Sequence, residues 1–298
     1  MQKICRNLKI ILWTSSLIFF FTKIQAQPYK EIKLSEFKPK SIFKIPITKI
    51  GQAKYPVIDF HSHDYPKDLA GVDEWVRTMN DCNIQKTIIL SYATGASFDS
   101  IVAKYANYPN RFEIWCGFDY GSYPEPGWVQ HAITELERCH KAGAKGVGEL
   151  GDKGLGEFYS KPNKAIGPHI NHSDLKPLLK RCGELHMPIS IHVAEDAWMY
   201  EQADEFNDGL INAGKWKVDL SIPGILGHDE LINTLEEAVK SNPGTKFIAC
   251  HLANSCSDLD RLGQLFDLYP NLYAEMAARF GEIAPIPRKT KSFFEKYA

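Results

Sequence analysis

From Pro56 onward, short apolar runs alternate with longer segments in which apolar residues recur at helical spacing. The runs Val57–His61, Thr87–Ser91, Phe112–Phe118, Ala144–Leu150, Ile189–Val193, Phe247–His251 and Leu272–Glu275 are predicted as strands. They are too short for stable helices, and most are apolar in the nearly continuous way of strands covered on both faces of a parallel sheet. Between them, Gly71–Asn83, Gly127–Ala142, Ser173–His186, His228–Ser241 and Ser257–Tyr269 are predicted as helices. Ser173 stands ahead of Asp174, and Ser257 ahead of Asp258 and Asp260, which supplies N-cap oxygens with negative charge in the first turn. Pro188, Pro243 and Pro270 follow three of these helices, where proline stops a helix and hands over to a strand. The repeating unit is strand, loop, helix, turn, and the fold class is α/β.

That alternation suits an open doubly wound sheet as well as a (β/α) barrel. No Gly-x-Gly-x-x-Gly or Walker-type loop follows the first strand, which weakens a nucleotide-binding sheet. The histidines favour the barrel. His61 and His63 leave the first run two residues apart, so both rings project to one side of the strand's C-terminal end. His192 and His251 stand at the C-terminal ends of the fifth and sixth runs, and in a (β/α) barrel that rim is where active sites assemble. Any one of these histidines alone is unremarkable, since a buried, satisfied imidazole is common. Their shared position at three strand ends is the signal.

Composition narrows the partners. The 35 Lys+Arg and 36 Asp+Glu residues nearly cancel, so no field of one sign is available to hold nucleic acid or an anionic membrane. The first residues differ from the rest: Lys3, Arg6 and Lys9 precede an apolar run from Ile10 to Thr22, and Ile24-Gln25-Ala26 follows. This order predicts a signal peptide over residues 1–26 and an exported, periplasmic or secreted protein without a stable membrane anchor. The apolar run is short against the ~20 residues that span a bilayer. Residues 27–54, rich in Lys, Pro and Ser, are expected to form an N-terminal arm, and residues 55–298 the barrel domain. Of the seven cysteines Cys5 lies in the predicted leader, and the others include no C-x-x-C pair, which argues against a disulfide framework or a cysteine metal site.

Neutral imidazole is a good ligand for zinc, iron or manganese, and an incompletely filled site leaves room for water or substrate. Such an ion activates water, which points to hydrolysis at a carbonyl-like carbon. In these residues the chain resembles the amidohydrolase superfamily, and most of all its amidohydrolase-related branch, which includes aromatic-acid decarboxylases. The resemblance runs from about Pro56 to the C-terminus. It implies a TIM-like barrel with His61, His63 and His192 as metal ligands and His251 as the sixth-strand histidine that binds a second metal or the substrate. On the fourth strand, Glu149 in Gly146-Val-Gly-Glu149 is the better ligand candidate, because Lys145 lies at the strand's start. If Glu149 bridges, two ions are accommodated; otherwise one, with zinc expected first, and Glu149 acts as an acid outside the ligand set.

One departure accompanies these matches. The family's eighth strand ends in an aspartate that binds metal and acts as general base, and no such segment follows Leu272–Glu275. The barrel is therefore expected to be truncated before the eighth strand, and the chain to be a fragment of a longer enzyme with little activity of its own. Trp198 and Tyr200, beyond His192, and Arg279, beyond the seventh strand, are candidates for substrate contact, Arg279 through pairing with a carboxylate. His228 opens a helix and is read as structural. The function expected is metal-dependent hydrolysis of an amide, ester or lactone in a small-molecule substrate. The alternatives are non-oxidative decarboxylation of an aromatic or related acid and, from another class, a non-catalytic barrel that binds a ligand or metal. A TatD-like nuclease would share the histidines, but the stretch from Asp196 to Asp208 is acidic where phosphate recognition calls for Lys and Arg. Assembly into a homo-oligomer is left open.

Overall fold

The computed structural model describes residues 32–46, 49–154, 157–158, 165–166, 168–209 and 217–298. The leader expected over residues 1–26 lies outside them. The chain divides into two units, 1–49 and Ile50–Ala298. The described part of the first is irregular apart from one 3-10 turn, Leu34–Glu36.

The second unit is built on parallel strands β1 (Val57–Ser62), β2 (Ile84–Ala93), β3 (Phe112–Cys116), β4 (Val147–Asp152), β7 (Ile189–Val193), β8 (Phe247–Ala249) and β9 (Leu272–Ala274), paired in that order. Two short strands, β5 (Glu157–Phe158) and β6 (Ala165–Ile166), add an antiparallel extension to β4. Helices α1 (Leu69–Cys82), α2 (Gly95–Tyr105), α3 (Trp128–Lys141), α4 (Lys176–Glu184), α5 (His228–Ser241) and α6 (Leu259–Leu268) alternate with the strands, and α7 (Phe280–Ile283) and α8 (Pro287–Tyr297) follow β9. Among the described residues, the seven parallel strands form a curled part-barrel without an eighth parallel strand, with β1 and β9 at its two edges.

Alternation along β2 explains how the sheet is buried on both faces: Ile89 joins the large core that includes Val72, Phe98 and Leu136 of the helices. Its neighbours Ile88 and Leu90 pack instead with Trp115, Phe60 and Ile248. All seven predicted strands form, with shifted ends. β2 starts earlier than Thr87, and β3 stops at Cys116 rather than Phe118. β8 ends at Ala249 because His251 to Asn254 turn left-handed.

Two expected caps differ. α6 is capped by the side chain of Asp258, which accepts from Arg261 N at 3.0 Å, and not by Ser257. α4 begins at Lys176, and the Ser173 hydroxyl turns to Asp174 instead of to the helix. The six cysteines of the described residues are free thiols; Cys116 is fully buried in the apolar core, whereas the equally buried Cys250 lies 3.1 Å from the Ser190 hydroxyl. The Cys250 thiol also groups with ligand atoms of His61 and Glu275 within 4.8 Å, contrary to the expectation that no cysteine stands at a metal site. No described helix is long and apolar enough to cross a membrane.

Candidate metal centre

Four strand ends deliver the site. β1 runs directly into His61-Ser62-His63, and Asp59 shapes its exit by accepting from His61 N (3.3 Å) and Ser62 Oγ (2.6 Å). Beyond His63, Asp64 accepts from Lys104 Nζ at 2.7 and 2.8 Å and from Tyr105 Oη at 2.9 Å, which ties the segment to α2. β4 delivers Glu149, and two glycines make room for it. A Cβ on Gly146 would lie 2.4 Å from the Trp115 ring, and one on Gly148 would lie 2.7 Å from Ser190 Cβ. β7 delivers His192, and the turn after β8 delivers His251.

Glu149 stands at the centre. Its Oε2 lies 3.6 Å from His61 Nε2 and 3.3 Å from His63 Nε2. Its Oε1 lies 2.9 Å from His192 Nδ1 and 3.6 Å from His251 Nε2. The four sequence-predicted histidines and Glu149 are therefore brought together. Lys145 lies exposed ahead of β4, away from them.

The outward nitrogens settle the tautomers. His63 Nδ1 contacts Leu90 O at 2.9 Å and His251 Nδ1 contacts Ala277 O at 2.7 Å. A carbonyl oxygen only accepts, so both Nδ1 atoms carry the proton, and a neutral ring then turns its Nε2 lone pair toward Glu149. His61 Nδ1 donates to Glu275 Oε1 at 3.0 Å, with the same consequence. An ionised carboxylate is also acceptor-only, so lone pairs and anion converge with no donor between them. That arrangement calls for a cation. Ligands about 2.1 Å from a zinc-like ion at tetrahedral to octahedral angles stand about 3.0–3.4 Å apart, close to the separations around Glu149. The ligand atoms of His61, Glu149 and His251 all lie within 4.8 Å of one another. The donor set fits a divalent transition ion.

With protons in place of an ion the same rings can compensate Glu149 as cations: burial pushes its carboxyl up, but protonated His192, His251 and His63 would outweigh it and hold the group far below the usual carboxylate range. Glu195 is likewise pushed up by burial, and His192 and Lys153 bring it down to about 2. Burial alone would lower the His192 pKa; Glu149 and Glu195 overcome that and raise it.

Glu275, just past β9, is a site residue that the sequence reading passed over as the end of a strand. It receives His61 Nδ1, the backbone N of Ala277 and, at 2.6 Å, the backbone N of His251. Its own backbone carbonyl accepts Leu252 N at 2.7 Å. These contacts hold a turn in which His251, Leu252, Ala253 and Asn254 have φ of 59°, 55°, 53° and 50°. For residues with a Cβ this costs roughly 1–2 kcal/mol each, so the turn persists only because its surroundings fix it. Asn254 Nδ2 donates to Val193 O and Ala194 O, and His228 Nε2 donates to Asn254 O at 2.9 Å, giving His228 a structural place.

The three residues expected to meet substrate fall differently. Arg279 is buried and paired with Asp196 and Glu282, so its guanidinium is engaged within the chain. A charge that deep needs an internal counterion, which one sequence does not reveal. The Tyr200 hydroxyl accepts from Glu195 N at 2.9 Å and donates to Lys153 O at 3.4 Å. Trp198 lines a cavity of about 560 Å³ with Asp196, Glu201, Cys256 and Glu282, formed by the loops after β7, β8 and β9. The four histidines are not among its walls.

A sequence profile described as Amidohydrolase matches residues 58–295. Among solved structures, the chain is similar to a Staphylococcus aureus protein described as an amidohydrolase, at 17% identity over 76% of both chains with a TM-score of 0.46. It is similar to 2,6-dihydroxybenzoate decarboxylase from Rhizobium at 12% identity over 70% of both chains, TM-score 0.41. It is also similar to 4-oxalomesaconate hydratase from Rhodopseudomonas palustris at 16% identity over 71% of this chain and 68% of that one, TM-score 0.43. A search of curated proteins finds no match. These structural likenesses are remote.

Proposed function

This chain belongs to the amidohydrolase family, and we propose that it is a metal-dependent hydrolase acting on an amide, ester or lactone of a small molecule. The observation that carries this reading is the convergence of four imidazoles on the Glu149 carboxylate, with three lone-pair directions set by outward hydrogen bonds. His61, His63, His192 and His251 would hold a divalent ion, zinc first among the candidates, together with Glu149. Bound there, the ion supplies Lewis acidity at a carbonyl oxygen and brings the pKa of a water toward neutrality.

The chain's own residues do the rest. Glu149 fixes the spacing of the imidazoles and supplies the negative charge a dication needs. Glu275 holds the His61 ring and the His251 backbone in register from the opposite edge of the sheet. The internal pairing of Arg279 with Asp196 and Glu282 removes this guanidinium as a holder of a substrate carboxylate. Export through the leader is part of the proposal, and sequencing the N-terminus of the mature protein from its native cell tests it. The test of function is a panel of amides, esters and lactones assayed before and after chelation. Activity lost with the metal and recovered with zinc supports the hydrolase. Carbon dioxide release from aromatic acids would replace it with a lyase, and protein that binds no metal would leave a non-catalytic barrel.

A further inference from the structure

Three of the four imidazoles present Nε2 to Glu149 and turn Nδ1 outward, toward Leu90 O, Ala277 O or the Glu275 carboxylate. His192 is reversed: its Nδ1 faces Glu149 at 2.9 Å, and its Nε2, at the tip of the ring, faces away. That Nε2 is buried and makes no hydrogen bond, on a side chain only 9% exposed. A buried imidazole N–H without an acceptor is costly, and it also leaves the tautomer unspecified. The carboxylate of Glu195 stands beside it, with Oε2 at 3.4 Å.

Glu195 is placed by other parts of the molecule. Its Oε1 pairs with Lys153 Nζ at 2.8 Å, just past the end of β4, leaving Oε2 for the ring. Its backbone N donates to the Tyr200 hydroxyl, which itself donates to Lys153 O. Lys153, Glu195 and Tyr200 thus lock the exit of β7 to the exit of β4, on the far side of His192 from Glu149.

We propose that Glu195 is the positioning residue of His192: its carboxylate is the acceptor for the Nε2–H, fixes the ring's orientation and leaves the Nδ1 lone pair for a metal ion, with Lys153 holding the carboxylate and Tyr200 the backbone of Glu195 in place. This rests on the metal-site reading above. Carboxylates behind a ligating histidine orient the ring and raise its basicity, and losing one commonly weakens metal binding by about 10–100-fold.

The test compares zinc affinity of the full chain, by competition with a chromophoric chelator, in the wild type, Glu195→Ala, Glu195→Gln and Lys153→Met. Nitrogen-15 histidine spectra of the zinc-loaded proteins identify which His192 nitrogen carries the proton. Glu195→Ala is expected to weaken zinc about 10–100-fold, and Glu195→Gln, which keeps an acceptor oxygen, to recover part of that loss. Lys153→Met should lie between wild type and Glu195→Ala. The wild-type spectrum should show the proton on Nε2, with its resonance displaced in Glu195→Gln. Glu195→Ala binding zinc as the wild type does, or Glu195→Gln as weak as Glu195→Ala, overturns the proposal. If Glu195→Ala fails to fold, an unmoved Nε2 resonance in Glu195→Gln overturns it. A wild type that takes up no zinc brings down the metal reading itself, and the role of Glu195 with it.

Discussion

The cluster around Glu149 and the pairing of Asp196 with Arg279 are both buried and both built from charged side chains, but their internal balance differs. Asp196 and Arg279 are opposite charges in contact, with Glu282 as a further partner at 3.2 Å, so each charge finds a counterion within the chain, although Arg279 Nε and Glu282 Oε2 make no hydrogen bond. Around Glu149, lone pairs from three imidazoles face an acceptor-only carboxylate, and the fourth ring has an outward nitrogen with no hydrogen bond. Burial is therefore a poor marker of function by itself. What separates the two regions is whether charge is balanced from within: Arg279 stands between two carboxylates, whereas the lone pairs around Glu149 face an anion.

The comparison breaks most visibly if the ligands are removed. In the double variant His61→Ala/His63→Ala, zinc affinity is expected to fall by more than the about 10–100-fold typical of residues behind the ligands. Metal content after gel filtration, with circular dichroism to confirm the fold, checks this. Undiminished zinc in a folded double variant would place the metal elsewhere. The opposite response is expected of the ion pair. Arg279→Met strands Asp196 without its counterion and should cost about 3–5 kcal/mol of unfolding free energy, read from denaturant midpoints. Zinc affinity per folded molecule should stay at the wild-type value. If Arg279→Met instead loses zinc while keeping its midpoint, the two regions have been assigned the wrong way round.

The sequence made the histidine half of this contrast legible and the carboxylate half only partly so. His61, His63, His192 and His251 are visible because each sits where an apolar run ends, and strand ends on one rim meet in space whatever their separation along the chain. Glu149 is visible for the same reason. Glu275 obeys that rule too and was passed over, because its reach to His61 depends on the sheet curling until β9 approaches β1, and pairing order is not written in local pattern. Glu195 is hidden by chemistry: an acid three residues past a ligand looks like a solvated loop charge until Lys153 and Tyr200 are seen to hold it. The internal pairing of Arg279 was invisible as well, since Asp196 lies 83 residues away in sequence. Strand β8 is a smaller case of the same kind. Its apolar run continues to His251, but contacts to Glu275 bend the backbone after Ala249.

Removing zinc from the intact protein sharpens the contrast without a mutation. An ion that binds only the folded state stabilises it by about 2.7 kcal/mol when free zinc is 100-fold above its dissociation constant. Chelation should lower the wild-type midpoint by an amount of that order and leave His61→Ala/His63→Ala unmoved. An equal drop in both proteins would mean that the ion stabilises from a different site.

The smallest expected effect is the pH dependence of the metal-free protein, and it distinguishes a proton from a metal ion as the cation that balances the cluster. In the metal-free state the His192 pKa is raised: burial opposes the charge, but Glu149 and Glu195 on either side outweigh it. A group whose folded pKa lies above its unfolded value stabilises fully below the unfolded pKa, about 6.5, and loses that contribution as pH rises through the folded value. Zinc follows the opposite sign, because its ligands must be deprotonated and its affinity rises with pH. Melting curves of wild type and His192→Gln in chelator, from about pH 6 to about pH 9, isolate the His192 contribution. The wild-type advantage should shrink toward the alkaline end in chelator, while in zinc the wild type should gain stability over the same interval. An advantage in chelator that grows with pH would mean that His192 is neutral at both ends, and that the negative charge of Glu149 is balanced by some other group.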